Sequence, residues 1–103
     1  MKLIVLGDLC VRENASPVLS PRAARWFASA DYVCLNFEGP LADANIRPSP
    51  KAGPAIRQSE SVLHLVRDCH VTHCSLANNH IMDFGRAGLQ STLEKLGDVE
   101  CFG

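Results

Sequence analysis

The stretch that decides the fold is VTHCSLANNHIMDFGRAGLQSTLEKLG, residues 71–97. It starts with a short apolar run, Val71–Leu76, continues through a polar turn, and ends in a segment whose leucines recur at helical spacing before Gly97. A short apolar run is typical of a buried strand, and a glycine directly after a periodic segment commonly ends a helix. The stretch therefore predicts a strand, a polar turn and a helix over residues 88–96.

The same alternation of apolar runs and helical patterns extends over the rest of the chain. The runs that predict strands are Lys2–Leu6, Tyr32–Asn36, Val71–Leu76 and Val99–Phe102. The patterns that predict helices are Pro21–Ala30, Glu60–Cys69 with Ser59 as its N-cap, and Gly88–Leu96. Strands that alternate with helices predict an α/β fold, a β-α-β-α-β-α-β unit with a mostly parallel sheet. Because the strands are almost continuously apolar, we expect both faces of the sheet to be covered.

Length and composition define the broad class of protein. The chain has 103 residues, 47% of them hydrophobic and 20% charged, and a formal net charge of -1; this is typical of one globular domain. No basic excess is present to neutralise phosphates, which argues against nucleic acid as a partner. The first apolar run stops after four residues, and no window approaches the roughly 18 apolar residues of a membrane span. We therefore expect no signal peptide or transmembrane segment and a cytoplasmic location for the chain as given.

The five cysteines are predicted to be free thiols. Their number is odd, and no two of them form a Cys-x-x-Cys pair. Cys34, Cys74 and Cys101 lie in apolar runs, where a free cysteine packs as a small hydrophobic residue. We expect neither a disulfide framework nor a thiol metal site.

Residues 39–56 interrupt the alternation and predict a long Pro-rich loop. The residues that break regular structure there are Pro40, Pro48, Gly53, Pro50 and Pro54. Loops longer than about 12–15 residues are uncommon in compact domains and are often functional. The basic residues in or beside this loop, Arg47, Lys51 and Arg57, are either solvated charges or contacts for an anionic ligand.

Polar side chains follow each of the first three predicted strands. In chain order they are Asp8, then Asn36 and Glu38, then Asn78, Asn79 and His80, with Asp83 just beyond. Ligands bind at the carboxyl ends of the strands in open α/β sheets, and parallel strands bring these ends to one edge. The convergence of acidic, amide and imidazole groups at this edge is the main functional signal in the sequence.

These side chains allow several interpretations. They can hold two divalent metal ions, which together activate water for phosphoryl transfer, or one hard ion such as Mg²⁺ or Ca²⁺ without catalysis. Local roles are open as well, because Asp and Asn are common turn residues. For Asp83 we expect an N-cap on the third helix through the N–H groups near Gly85 and Arg86.

The residues at these strand ends resemble one family. Gly7-Asp8, the block Asn36–Leu41 and the block Ser75–Gly85, followed by the Gly88–Leu96 helix, are similar to the CapA (PgsA) family. This is the poly-γ-glutamate capsule-synthesis group of the calcineurin-like metallophosphatase superfamily. The resemblance spans essentially the whole chain, and its third block is the most specific part.

The resemblance implies a fold and a set of roles. The superfamily fold is a four-layer αββα sandwich, of which this chain resembles the first half. Asp8 would be a metal ligand, Asn36 and Glu38 stand where a bridging carboxylate is found, and Asn79 matches an amide ligand. His80 matches the histidine that stabilises the transition state or protonates the leaving group, with Asp83 in a supporting role. The implied cofactors are divalent metal ions (Mn, Fe or Zn), and the implied partner is an anionic or phosphorylated small molecule or polymer.

Two features depart from the superfamily's pattern. Its first motif is Asp-x-His, where this sequence has Asp8-Leu9-Cys10, and its later histidine motifs have no counterpart before Gly103. We therefore expect residues 1–103 to be the N-terminal part of a CapA-like domain, a fragment or truncated form that is inactive as a hydrolase by itself. The alternative is a catalytically inactive binding or partner module of the same fold. Half a sandwich would also leave one sheet face open to water, which predicts self-association.

Overall fold

Helices and strands alternate along the chain in the predicted order. The structure is a computed structural model that describes residues 1–103. The elements are β1 (Leu3–Leu9), α1 (Pro21–Ala28), β2 (Tyr32–Phe37), α2 (Val62–Asp68), β3 (His73–Ser75), α3 (Gly85–Leu96) and β4 (Glu100–Phe102). The helix α3 ends at Leu96 as predicted, and Gly97 follows with a positive φ of 58°.

The four strands form one parallel sheet in the order β1-β2-β3-β4. Because every crossover runs in the same direction and parallel crossovers are right-handed, the three helices cover the same face of the sheet. That face is the hydrophobic core, where Val33, Phe37 and Cys74 from the strands and Val62 from α2 are fully buried. The predicted α/β class and the parallel sheet are confirmed.

The opposite face of the sheet is open. The strand register places Leu3, Val5, Tyr32 and Phe102 on it, and their exposed fractions are 54%, 71%, 44% and 55%. The expectation that both faces are covered is therefore wrong for this chain, since apolar side chains on the second face find no partner within it. One covered and one open face correspond to a partial α/β sandwich.

The N-caps predicted for the second and third helices are both wrong. The helix α2 begins at Val62, two residues later than predicted, with Ser61 at the N-cap position. The Ser59 hydroxyl bonds to the Ser61 hydroxyl (2.9 Å) and accepts from the Ser61 N–H (3.3 Å) in the turn before the helix. The helix α3 begins at Gly85, and no side chain caps it. Asp83 does not cap α3 because its carboxylate binds other donors, which are described with the site.

Residues 39–56 have no helix or strand, as predicted, and we call them the 39–56 loop. Its start is fixed to α3 by buried hydroxyls: Thr92 Oγ1 accepts from the Leu41 N–H (2.9 Å), and Ser91 Oγ donates to the Leu41 carbonyl (2.6 Å). Just beyond its end, the buried Gln58 side chain donates to the Leu9 carbonyl (3.0 Å) and accepts from the Val11 N–H (2.9 Å). Both ends of the loop are therefore held against the core.

All five cysteines are free thiols, as predicted. Burial, with the neighbouring Cys101 and Cys34, raises the pKa of the Cys74 thiol to about 12, so this side chain is a packing residue. No helix of the chain has the length and apolar character that a membrane crossing requires.

Candidate functional site

A β-bulge in β1 brings the first acidic side chain to the site. Val5 pairs with Cys34 and Asp8 pairs with Asn36, so β1 uses one residue more than β2 between these two pairs. Without this extra residue Asp8 would lie opposite Phe37 and point into the core. With it, Asp8 lies on the open face beside Asn36, at the carboxyl end of the sheet.

Asp8, Asn36, Glu38 and Asn78 form what we call the strand-end cluster. The Asn36 amide nitrogen donates to both carboxylates, to Asp8 Oδ1 at 2.8 Å and to Glu38 Oε2 at 2.7 Å. Asn78 donates to Asn36 Oδ1 (3.2 Å) and to the Phe37 carbonyl (2.8 Å). The structure thus brings together three of the predicted site residues, and it adds Asn78.

The two carboxylates of the strand-end cluster have no cationic partner. Neither Asp8 nor Glu38 forms a salt bridge, and their hydrogen bonds to side chains come from the neutral Asn36 amide. Two negative charges that share one neutral donor attract a cation. This part of the surface therefore suits a divalent metal ion better than it suits an anion.

Asn78 connects the strand-end cluster to the turn that carries His80. Its Oδ1 accepts from the His80 N–H (3.1 Å) and the Gly39 N–H (3.4 Å). Gly39 has a φ of +82°, and an added Cβ there would lie 2.9 Å from Ile56 Cγ2 and 3.6 Å from His80 Cβ. Only glycine allows the chain to turn this tightly after Glu38.

A second group of polar residues surrounds Asp83, and we call it the Asp83 cluster. The carboxylate is 2% exposed; its Oδ1 accepts from Lys51 Nζ at 2.5 Å, and its Oδ2 accepts from His80 Nδ1 at 2.7 Å and from the Ile56 N–H at 2.7 Å. Burial alone would raise the pKa of Asp83, but the bonds from Lys51, Ile56 and His80 outweigh it and lower the pKa below its usual range. Asp83 is therefore ionised at neutral pH.

The ionised Asp83 determines the tautomer of His80. Because this carboxylate can only accept hydrogen bonds, His80 Nδ1 must carry the proton that it shares with Asp83. Nε2 forms no hydrogen bond within the chain, and the His80 side chain is 17% exposed. Nε2 is thus the ring atom that can exchange a proton with a ligand.

The side chains of Asn79 and Cys10 form no hydrogen bonds to the residues of these clusters. The exposed Asn79 side chain forms no hydrogen bond and lines a cavity of about 640 Å³ between the 77–82 turn and α3. Cys10, where the pattern implied by the resemblance has a histidine, is exposed. Partial burial, then Glu38 and Asp8, raise the pKa of the Cys10 thiol against the opposing effect of Arg12. At neutral pH it is a thiol, a weaker ligand than a thiolate.

Two of the three basic residues considered for an anionic ligand have partners within the chain. Lys51 binds Asp83, whereas Arg57 donates to the Ile46 carbonyl (2.6 Å) and lies 4.4 Å from the centre of the Phe84 ring. Arg47 is exposed and forms no such contact. Sequence reasoning missed the actual role of Lys51, because nothing local indicates a partner 32 residues away.

The donor set fits one hard divalent ion better than a binuclear centre. No three His, Cys, Asp or Glu side chains converge on a common point that could hold a metal ion. Asp8 and Glu38 supply two carboxylates, and amide oxygens from the asparagines are the remaining donors nearby. Carboxylate and amide oxygens are ligands that Mg²⁺, Ca²⁺ and Mn²⁺ accept.

The fold and the strand-end cluster together define an α/β protein with a parallel sheet and a candidate ligand site at its carboxyl edge. The family model described as the bacterial capsule synthesis protein PGA_cap matches residues 2–102. The chain belongs to this family of CapA-like capsule biosynthesis proteins.

Two curated relatives agree with this assignment. The chain is similar to a PGA biosynthesis protein CapA from Bacillus subtilis, with 37% identity over 68 residues, and to a capsule biosynthesis protein CapA from Bacillus anthracis, with 30% identity over 110 residues. The first match covers 65% of this chain and 18% of the relative, and the second covers 97% and 27%. The chain thus spans about a quarter or less of the length of these relatives.

Proposed function

We propose that this chain contributes a divalent-metal site and a proton-transfer histidine to phosphoester chemistry in capsule polymer synthesis, with poly-γ-glutamate as the polymer. The observation that carries the proposal is the pair of carboxylates, Asp8 and Glu38, which a bulge and a shared amide hold together without a cationic partner. Such a pair attracts a divalent ion, and the Asp83–His80 pair follows on the same turn as Asn78.

Asp8 and Glu38 would hold the metal ion, with Asn36 or Asn79 offering an amide oxygen, since Asn78 Oδ1 already accepts from the His80 and Gly39 N–H groups. A divalent ion bound there acts as a Lewis acid toward a phosphoryl group and offsets its negative charge. An anionic or phosphorylated ligand needs this charge compensation, because the side chains of the strand-end cluster are themselves negative. Of the metals implied by the resemblance, Mn, Fe and Zn, we propose Mn²⁺, because it accepts carboxylate and amide oxygens.

His80 would transfer a proton to the leaving group through Nε2. Asp83 accepts the Nδ1 proton and so keeps the ring in the tautomer whose Nε2 faces away from Asp83. The same contact stabilises the imidazolium form when Nε2 takes up a proton.

The test of the metal site is a calorimetric titration of the metal-free chain with Mn²⁺. We expect one ion per chain, and at least about tenfold weaker binding in Asp8→Asn and Glu38→Gln, because each removes a charged ligand. Arg47→Met is the matched control, since it changes an exposed charge away from both clusters. Binding that is absent in the parent, or unchanged in both variants, would show that the proposal is wrong.

The alternative function is a non-catalytic binding module, and one observation favours it: no three metal-binding side chains converge in the chain. Turnover of a phosphodiester probe, bis-p-nitrophenyl phosphate, separates the two functions. Mn²⁺-dependent hydrolysis that is lost in His80→Ala supports the hydrolase. Metal binding without hydrolysis supports the binding module or a site completed by residues outside this chain.

We also propose that the open sheet face mediates self-association. Val5 is 71% exposed on the edge strand β1 and belongs to an apolar surface that includes Leu3 and Tyr32. Water contact with such a surface is unfavourable, so association that covers it is expected. In sedimentation velocity, Val5→Lys should shift the chain toward monomer. An equal oligomer distribution for parent and variant would contradict this proposal.

A further inference from the structure

Lys51 links the middle of the 39–56 loop to the Asp83 cluster. It is 32 residues from Asp83 in sequence, and its Nζ donates to Asp83 Oδ1 at 2.5 Å. The Lys51 side chain is 27% exposed, whereas the Asp83 side chain is 2% exposed. The cation thus approaches from the solvent side and neutralises a carboxylate that is otherwise buried.

The two carboxylate oxygens of Asp83 accept hydrogen bonds from different donors. Oδ1 accepts from Lys51, and Oδ2 accepts from His80 Nδ1 and the Ile56 N–H, each at 2.7 Å. Without Lys51, Oδ1 would be buried with no donor, which is unfavourable for a charged oxygen. The carboxylate would then rotate, take up water or take up a proton, and each of these changes disturbs the bond between Oδ2 and His80.

The loop is held to the same short turn at several points. The Ser49 N–H donates to the Asp83 carbonyl (2.7 Å), and the Ile56 N–H donates to its carboxylate. Arg57 stacks on the neighbouring Phe84. The two ends of the loop are held against the core, and these contacts with residues 83 and 84 fix the segment from Ser49 to Ile56.

We propose that Lys51 is a positioning residue, which through Asp83 fixes the His80 imidazole and at the same time holds the 39–56 loop beside it. The proposal extends the role given to His80 in the proposed function and rests on it. The proposal also gives the 39–56 loop a role. When the loop moves away from Asp83, the His80 imidazole is no longer fixed, so the position of the loop and the orientation of His80 change together.

The test uses NMR of the ¹⁵N-labelled, metal-free chain at a pH where the His80 ring is neutral. In the parent we expect separate Nδ1 and Nε2 signals, with the proton on Nδ1. In Lys51→Met both signals should move toward the averaged shift of two exchanging tautomers. The amides of Ser49 and Ile56 should exchange with solvent at least about tenfold faster, because the loss of the charged Lys51–Asp83 bond loosens the loop segment that carries them.

Two further variants control the experiment. Lys51→Arg keeps the charge and a donor, and should retain the parental His80 signals. Arg47→Met removes a charge from the same loop without touching Asp83, and should leave signals and exchange rates unchanged. If Lys51→Met does not fold, Lys51→Gln takes its place.

His80 signals that stay parental without the Lys51 charge would overturn the proposal. Faster exchange of Ser49 and Ile56 with parental His80 signals would also overturn it, because Lys51 would then tether the loop without positioning the ring. Since no metal and no turnover are involved, these outcomes are independent of the metal titration.

Discussion

The strand-end cluster and the Asp83 cluster are adjacent, but their carboxylates differ in burial and in hydrogen-bond partners. Asp83 is buried, and its oxygens accept from Lys51, His80 and a backbone N–H. Asp8 and Glu38 are more accessible and share one neutral amide, with no salt bridge to either. Asn78 and the turn that follows it connect the two clusters.

The difference indicates how each cluster is used. A carboxylate whose oxygens are all satisfied within the chain stabilises the fold and orients its neighbours. Two carboxylates without a cation are electrostatically unfavourable together, and a bound divalent ion removes that repulsion. The donors of the Asp83 cluster are complete within this chain, whereas the strand-end cluster is the one proposed to take up a metal ion.

The largest effect expected from this comparison is on stability. Asp83→Asn should lower the free energy of unfolding by about 2–4 kcal/mol, because the buried amide cannot accept from all three donors. Asp8→Asn, the matched change in the strand-end cluster, should alter it by no more than about 0.5 kcal/mol. Urea denaturation followed by circular dichroism measures both. Equal losses for the two variants would contradict the distinction between the clusters.

The pH dependence of stability should follow Asp83. Its pKa in the folded chain lies below the unfolded value of about 3.9, so its contribution is fully present above that value and is lost as the pH falls through the folded pKa. The stability difference between the parent and Asp83→Asn should therefore be greatest near pH 7 and shrink below about pH 4. Urea midpoints for both proteins at a series of pH values test this, and a constant difference would argue against an ionised Asp83 in the folded chain.

A smaller effect is expected at the connection between the clusters. Asn78→Ala removes hydrogen bonds to Asn36, the Phe37 carbonyl and the His80 N–H, and should cost about 1–2 kcal/mol. The loss should lie between those of Asp8→Asn and Asp83→Asn in the same urea experiment. A cost below that of Asp8→Asn would show that Asn78 does not hold the clusters together.

The sequence was sufficient to predict the order of elements and the edge of the sheet where polar groups gather. Each strand is a short apolar run in the sequence. Because the strands are parallel, the polar residues that follow them lie at the same edge of the sheet. It was also sufficient to predict Asp8, Asn36 and Glu38 as neighbours. The bulge that makes Asp8 face Asn36 was not predictable, because nothing in the Val5–Asp8 segment distinguishes a regular strand from a bulged one.

Long-range polar contacts were the other part that local patterns could not reveal. Asp83 was predicted to cap α3 because it directly precedes the helix, but Lys51 and the Ile56 N–H offer it a buried site with more donors. Asn79 was selected by its place in the motif, while Asn78 comes first after the third strand and bonds to Asn36. The role of Asn79 as a metal ligand stays a prediction.

The most direct test of the account is the stabilisation that Mn²⁺ gives to the parent and to one variant from each cluster. At about 100 times its Kd, Mn²⁺ should raise the free energy of unfolding of the parent by about 2.7 kcal/mol. We predict that Asp83→Asn keeps most of this increase, although it starts from lower stability. At the same Mn²⁺ concentration, Asp8→Asn should gain no more than about 1.4 kcal/mol, the value for tenfold weaker binding. A full increase in Asp8→Asn, or none in the parent, would contradict a divalent-metal site at the strand ends.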